Sequence, residues 1–267
     1  MDHAPAQAER SKQRERAERI LDVAAELLLK WGYKRVTIDD IAERAGVGTG
    51  TVYLHWKTRQ SLFQTLLMRE TVYVWNALLE QMRADPEEVL LHRMMHSLLL
   101  IVMRRPLARA LFTGNKELLG KLSFAGVDAE LQKQQMAAAS QYLSLLRAGG
   151  LMRTDVDFEA QMYAFSATLI GFCFIDPLLG PFLVSEKRRG RVDSPGLQET
   201  GEMETGDHGG LSLETKAAML ARTIRLAFEP EELPSLASLQ ELAAKVIAII
   251  EQICEAYMQQ IQKNMLH

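Results

Sequence analysis

The sequence predicts an all-α protein: an N-terminal three-helix domain followed by a larger helical body with one extra C-terminal helix. Three observations carry this. Apolar residues recur at intervals of three and four over most of the chain, as in Ile20, Ala24, Leu27, Leu28 and Trp31. No run of alternating apolar and polar residues is long enough to build a sheet. Caps and breakers punctuate the periodic segments where helices should start and stop.

The elements follow in order. Residues 1–11 are polar and are expected to form a disordered tail, and from Lys12 the chain turns helical until Gly32. Thr37 is placed to cap a second helix, with Asp39 and Asp40 in the first turn where carboxylates suit the helix dipole. Its stripe is Ile38, Ile41, Ala42 and Ala45. After Gly46 a third short helix runs to Trp56. Thr58 caps a long fourth helix that reaches about Arg83, with Leu62, Phe63, Leu66, Leu67 and Tyr73 facing inward. Asp85-Pro86 opens a further helix through Leu90 to Arg104, which Pro106 should end. Gly114, Gly120 and Gly126 break up the next segment. Helices are then expected over 128–148, 155–179, 212–228 and 235–262, with a mobile polar, glycine-rich loop at 185–211. The domain boundaries implied are 12–57 for the N-terminal unit and 58–267 for the body.

Composition narrows the class. The 267 residues are 48% hydrophobic and 24% charged, as in an ordinary globular protein. The two cysteines, Cys173 and Cys254, form neither a disulfide framework nor a zinc cluster. The charged N-terminus lacks an apolar leader, and no run of about 18 uncharged apolar residues appears. A cytoplasmic protein with no membrane span is therefore expected. The net charge of −3 is unevenly spread. Residues 1–60 hold 11 Lys/Arg against 9 Asp/Glu, and the remainder holds 20 against 25. A mildly basic end on an acidic body permits a nucleic-acid surface.

The stretch TIDDIAERAGVGTGTVYLHW, residues 37–56, sharpens that idea. It holds two short helices around a tight corner. A helix-turn-helix needs small residues where its helices touch, here Ala42 and Ala45, and a glycine for the corner, here Gly46. Val52 and Trp56 are spaced to face the core. Thr49, Gly50, Thr51, Tyr53 and His55 are then available to DNA, as threonine, tyrosine and histidine can meet base edges or phosphates and glycine permits close approach. Thr37 is a plausible phosphate anchor, and Lys57 and Arg59 add charge just beyond.

With these residues in view, WGYKRVTIDDIAERAGVGTGTVYLHWKTRQSLF resembles the DNA-binding domain of the TetR family of bacterial regulators, from about Arg19 to Leu67. The likeness includes Gly32-Tyr33, Thr37, Ala45-Gly46-Val47, Thr51-Val52-Tyr53, His55 and Leu62. It implies a homodimer, a three-helix reading head, a double-stranded DNA operator as partner, and a variable body that binds a small effector. The chain departs from the family pattern at Gly50, at Trp56 where phenylalanine is more usual, and at Arg59 where lysine is usual.

In the body, the expected pocket for a small apolar effector is built from Met95, His96, Leu99, Met103, Phe112, Met162, Phe165, Leu169 and Phe172. Methionines suit a pocket that adapts to irregular ligands, and equally serve as core filler. The 158–174 helix is apolar all round, so both sides need cover. One side is expected to face the ligand core. The other, through Ile170 and Phe174, is expected to meet a partner subunit together with Leu213, Ala217, Leu220 and Ile224. The last helix, about 42 Å long over about 28 residues, carries a seam of Leu239, Leu242, Val246, Ile249, Ile253 and Tyr257 and packs either on its own body or across subunits. His92 and His96 stand i, i+4, but two ligands make no metal site. No catalytic constellation, cofactor motif or metal site is expected, and the rival reading is a dimeric helical protein whose helix-turn-helix no longer reads DNA.

Overall fold

The computed structural model describes residues 4–122, 129–175 and 211–265. Every regular element among them is helical. The N-terminal head comprises α1 (Ala4–Trp31), α2 (Ile38–Ala45) and α3 (Thr49–His55). The body comprises α4 (Arg59–Ala84), a 3-10 turn (Pro86–Val89), α5 (Leu91–Arg104), α6 (Pro106–Phe112), α7 (Lys116–Leu119), a second 3-10 turn (Gly120–Leu122), α8 (Ala129–Ala148), α9 (Phe158–Phe174), α10 (Leu213–Phe228) and α11 (Leu236–Met265).

Local chemistry explains the boundaries. Thr37 and Thr58 each sit in a reciprocal capping box, with Asp40 and Ser61 respectively answering the cap backbone. Gly46 ends α2 at φ 66°, and a Cβ there would meet nothing within 4 Å. Glycine is needed for the left-handed backbone, not for space.

Two apolar clusters form. One gathers Ile20, Leu28, Ile41, Val52, Trp56, Phe63 and Leu66 in the head. The other gathers Leu78, Met82, Leu91, Met95, Leu146, Leu220 and Val246 in the body. α10 lies along α5, and α11 lies along α4 and α8. The short α6 joins the two, for Leu107 and Ala110 enter the head cluster while Ala108 enters the body cluster.

Several expectations are corrected. α1 starts at Ala4, so residues 4–11 continue the helix instead of forming a tail. Pro106 opens α6 at a position where no N–H is needed, and so starts a helix as well as following one. Trp31 and Tyr73 are exposed. Tyr73 lies against the Arg105 guanidinium, 3.6 Å from its ring centroid, and Arg105 is paired with the buried Glu70. The loop expected at 185–211 lies outside the described residues except for Leu211. α11 packs within its own chain, since Leu239, Leu242, Val246, Ile249 and Tyr257 are buried here.

Candidate DNA-reading surface and effector cavity

The reading surface is built on α3, and a rigid frame holds that helix. Val52 and Trp56 anchor it at 0% and 1% exposure. The indole Nε1 of Trp56 donates to Thr65 Oγ1 of α4 at 3.1 Å, so the one polar atom of this buried ring is satisfied. Below the corner, Gly46 and Val47 N–H groups donate to Glu43 and Ala42 carbonyls at 3.1 and 3.0 Å.

Outward from this frame stand Tyr53 and Leu54, 49% and 73% exposed. Gly50 is exposed beside them, with open space where a Cβ would be. Thr51 is half-buried and Lys57 exposed. Thr49 is half-buried, and its hydroxyl donates to Asp39 Oδ1 at 2.8 Å, tying the start of α3 to α2. Thr37 spends its hydroxyl on Asp40 Oδ2 at 2.6 Å. That contact, with the Thr37 N–H, holds the Asp40 carboxyl below its ordinary range.

Two residues named for DNA from the sequence do other work. His55 is 3% exposed and stands against Trp56, with ring centroids 5.4 Å apart. Desolvation, then the positive charge of Arg16, lowers its pKa from 6.5, so the ring sits neutral in the core. Position 55 shares the face of Val52 and Trp56 at i+3 and i+4, which its polar identity obscured. Arg59 donates through Nη1 to the Tyr33 and Val36 carbonyls at 2.9 and 2.6 Å and lies 4.2 Å from the Tyr33 ring centroid. It clamps the α1–α2 corner onto α4. Leu54, which the sequence reading did not name, shares this outer face, three residues on from Thr51.

The body holds a cavity of about 240 Å³ walled by α4, α5, α6, α8, α9 and α11. Of the residues named for an effector pocket, Met95, Phe112, Phe165 and Leu169 line it. His96, Leu99, Met103, Met162 and Phe172 do not. Leu99 is packed in the core, while Met103, Met162 and Phe172 lean on it from the edge. Trp75, Gln135, Ile249, Ile250 and Ile253 line the cavity instead.

The expected dimer surface divides. On α9, Tyr163, Ile170 and Phe174 are exposed, while Phe158, Met162, Phe165, Leu169 and Phe172 pack toward the core. On α10, Ala217, Leu220 and Ile224 are fully buried against the chain's own core, so they cannot form an interface. Leu213 is half-buried. The large apolar residues exposed on α10 are Met219 and Leu226.

The His92 side chain is likewise occupied. Its Nδ1 lies 2.8 Å from the buried Glu229 carboxylate, which also accepts from the His92 backbone N–H. Among the described residues no cluster of His, Cys, Asp and Glu is suited to a metal ion. No helix among them is long and apolar enough to cross a membrane. Burial raises the Cys254 thiol to about 11, so it resists ionisation.

Residues 20–66 match the model of bacterial regulatory proteins of the tetR family. Over 75 residues the chain is 39% identical to the uncharacterised HTH-type transcriptional regulator YvkB of Bacillus subtilis, covering 28% of this chain and 39% of that one. It is 41% identical over 58 residues to the HTH-type transcriptional repressor KstR of Rhodococcus jostii, covering 22% and 27%. A longer match, 27% identical over 169 residues, covers 62% of this chain and 79% of ArpR of Pseudomonas putida, named as an HTH-type transcriptional regulator. The family-model match covers residues 20–66, and the chain spans about two fifths of YvkB.

Proposed function

We propose that this chain, whose residues 20–66 match the tetR-family model, is a cytoplasmic, homodimeric transcriptional repressor released from its operator by a small apolar molecule. The observation that carries DNA reading is the split of α3. Val52, His55 and Trp56 fix the helix in a closed core, while Gly50, Tyr53, Leu54 and Lys57 stand free. Tyr53 and Lys57 suit phosphates, Leu54 and the Thr51 methyl suit thymine methyl groups, and Gly50 lets the helix approach the groove wall.

Dimerisation rests on Tyr163, Ile170 and Phe174 of α9 with Met219 and Leu226 of α10. These large apolar side chains share two helices in mutual contact and have no cover among the described residues. A second copy related by a two-fold axis presents the same patch and covers both. It also sets two copies of α3 about one turn of DNA apart, ~34 Å, for a palindromic operator.

Release works through α6. A ligand in the cavity touches Phe112 at the end of α6, and the same helix carries Leu107 and Ala110 into the head. The Arg105–Glu70 pair ties the start of α6 to α4, which leads into the head at Arg59. A ligand that fits only one setting of α6 shifts the protein toward it and alters the spacing of the heads.

The test is operator binding against salt concentration, with light scattering on the same samples. Affinity falling steeply with salt, in a dimer that Ile170→Glu turns to monomer with at least about 100-fold weaker operator binding, supports the reading. Salt-insensitive or absent DNA binding favours the rival reading of a helical protein that no longer reads DNA. A wild-type monomer at micromolar concentration overturns the dimer.

A further inference from the structure

α11 walls the cavity and also reaches the head. From Ile249 every fourth residue, Ile253, Tyr257, Ile261 and Met265, lies on one ridge of the helix. At one end of the ridge, Ile249 and Ile253 line both the cavity of about 240 Å³ and an adjoining one of about 260 Å³ between α8 and α11. In the middle, Tyr257 and Ile261 are buried in a third apolar cluster with Met68 and Val72 of α4 and Leu131 of α8, and Ile253 packs against it. At the other end, Met265 packs against that cluster and against the head cluster alike. One helix therefore touches cavity and head, with about 18 Å of its axis between Ile253 and Met265.

The chemistry of this ridge suits a moving part. No glycine or proline interrupts α11 from Leu236 to Met265, so it moves as a rod. Flexible methionines stand on both sides of the contact, Met68 on α4 and Met265 on α11, and they repack readily. Two side-chain polar ties join α11 to other helices among the described residues. Glu251 pairs with Arg83 of α4 at 2.6 Å, with both side chains about half exposed. The Tyr257 hydroxyl donates to Gln135 Oε1 of α8 at 3.3 Å, a long bond for a hydroxyl donor. A small shift of the rod therefore breaks no tight, buried hydrogen bond.

With the cavity as effector site and the head as DNA reader, on which this inference rests, we propose that α11 is a second coupling element beside α6. A ligand that presses on Ile253 shifts the rod, and Met265 passes the shift to the head core. Substitutions this far apart ordinarily add in their effects, so failure of positions 253 and 265 to add is what distinguishes a coupled rod from two separate packing contacts.

The experiment is a double-mutant cycle on the full chain. Ile253→Phe pushes into the cavities from the α11 side, and Met265→Ala removes the contact with the head. Two quantities are read: hydrogen exchange of head amides from Ile20 to Val52, which needs no DNA, and affinity for the palindrome recovered by selection from random-sequence DNA. With Met265 present, Ile253→Phe should change head exchange by about fivefold or more and weaken DNA binding by a similar factor. With Met265→Ala both effects should shrink to within about twofold, the scatter of additive changes, and Met265→Leu should restore them. Ile253→Ala, which alters the same wall by enlarging the cavities, takes the place of Ile253→Phe if that variant does not fold. Equal effects in both backgrounds, or head exchange that stays within about twofold on either change at Ile253, overturn the coupling. A folded wild-type chain that binds no DNA overturns the reading of the head instead, and the exchange cycle then decides the coupling by itself.

Discussion

The reading head and the body use similar apolar side chains to different ends. In the head, Ile20, Leu28, Val52, Trp56, Phe63 and Leu66 close around one another. The polar groups of Thr37, Thr49, Trp56 and Arg59 are each committed to a partner that fixes a corner or a cap. In the body, methionine, leucine and phenylalanine leave two adjoining cavities, of about 240 and 260 Å³. A shape reader needs its side chains held still, whereas an effector site needs room. The contrast fits the proposed division of the two tasks between two parts of one chain.

Separating the parts is the strongest way to break this contrast. Deleting residues 235–267 removes α11, which covers α4 and walls the cavity. The melting temperature should fall by about 10 °C or more, since several kcal/mol of burial is lost and each is worth about 2–4 °C at this size. Effector binding should vanish, while the base preference of whatever DNA is still held stays the same. Thermal denaturation followed by DNA selection checks both. An equally stable truncation would show that α11 is dispensable.

The mirror experiment strikes the head. Trp56→Ala opens a void in a packed cluster and removes the indole donor to Thr65, whose hydroxyl still donates to the Ser61 carbonyl, at a cost of about 3–5 kcal/mol. Operator binding should be lost, yet binding of an apolar probe, 2-ethylnaphthalene, in the body should persist within a few-fold. Loss of both together, read by calorimetry on the same sample, would mean that head and body fold as one unit.

Smaller changes sharpen the reading surface. Leu54→Ala should leave the melting temperature within about 1 °C, because the side chain is largely exposed. It should weaken a thymine-containing operator by about 1–3 kcal/mol. Unchanged affinity would remove Leu54 from the reading face.

The smallest effect expected is a pH dependence. His55 is held below its ordinary value of 6.5, first by desolvation and then by Arg16. Its folded value therefore lies below the unfolded one. The stability that the neutral ring contributes is complete above 6.5 and is lost as pH falls through the folded value. Acidification below 6.5 should thus lower the melting temperature of wild type more than that of His55→Gln. Equal slopes would contradict a buried neutral ring.

How much of this was legible in the sequence follows the same division. Thr37, Gly46 and Thr58 announce the head because caps and corners are set by residues next to one another in the chain. His55 was misread because a polar side chain outweighed its spacing from Val52. In the body, the Ala217, Leu220, Ile224 stripe showed that α10 must be covered on one side, but periodicity does not say whether by its own chain or another. The structure places α5 there. Nor does any sequence pattern register where packed helices leave a gap, so Met95 and Phe112 were found while Trp75 and Gln135 were not.

The central claim is that α3 reads DNA from a two-fold dimer. Its most direct test is to incubate the full chain with random-sequence duplex DNA and sequence what is retained. The expected result is an enriched palindrome whose half-sites are centred about one helical turn apart, ~34 Å, with enrichment at one position in each half-site lost on Leu54→Ala. Retained DNA with no shared motif, or a motif without two-fold symmetry, would contradict it.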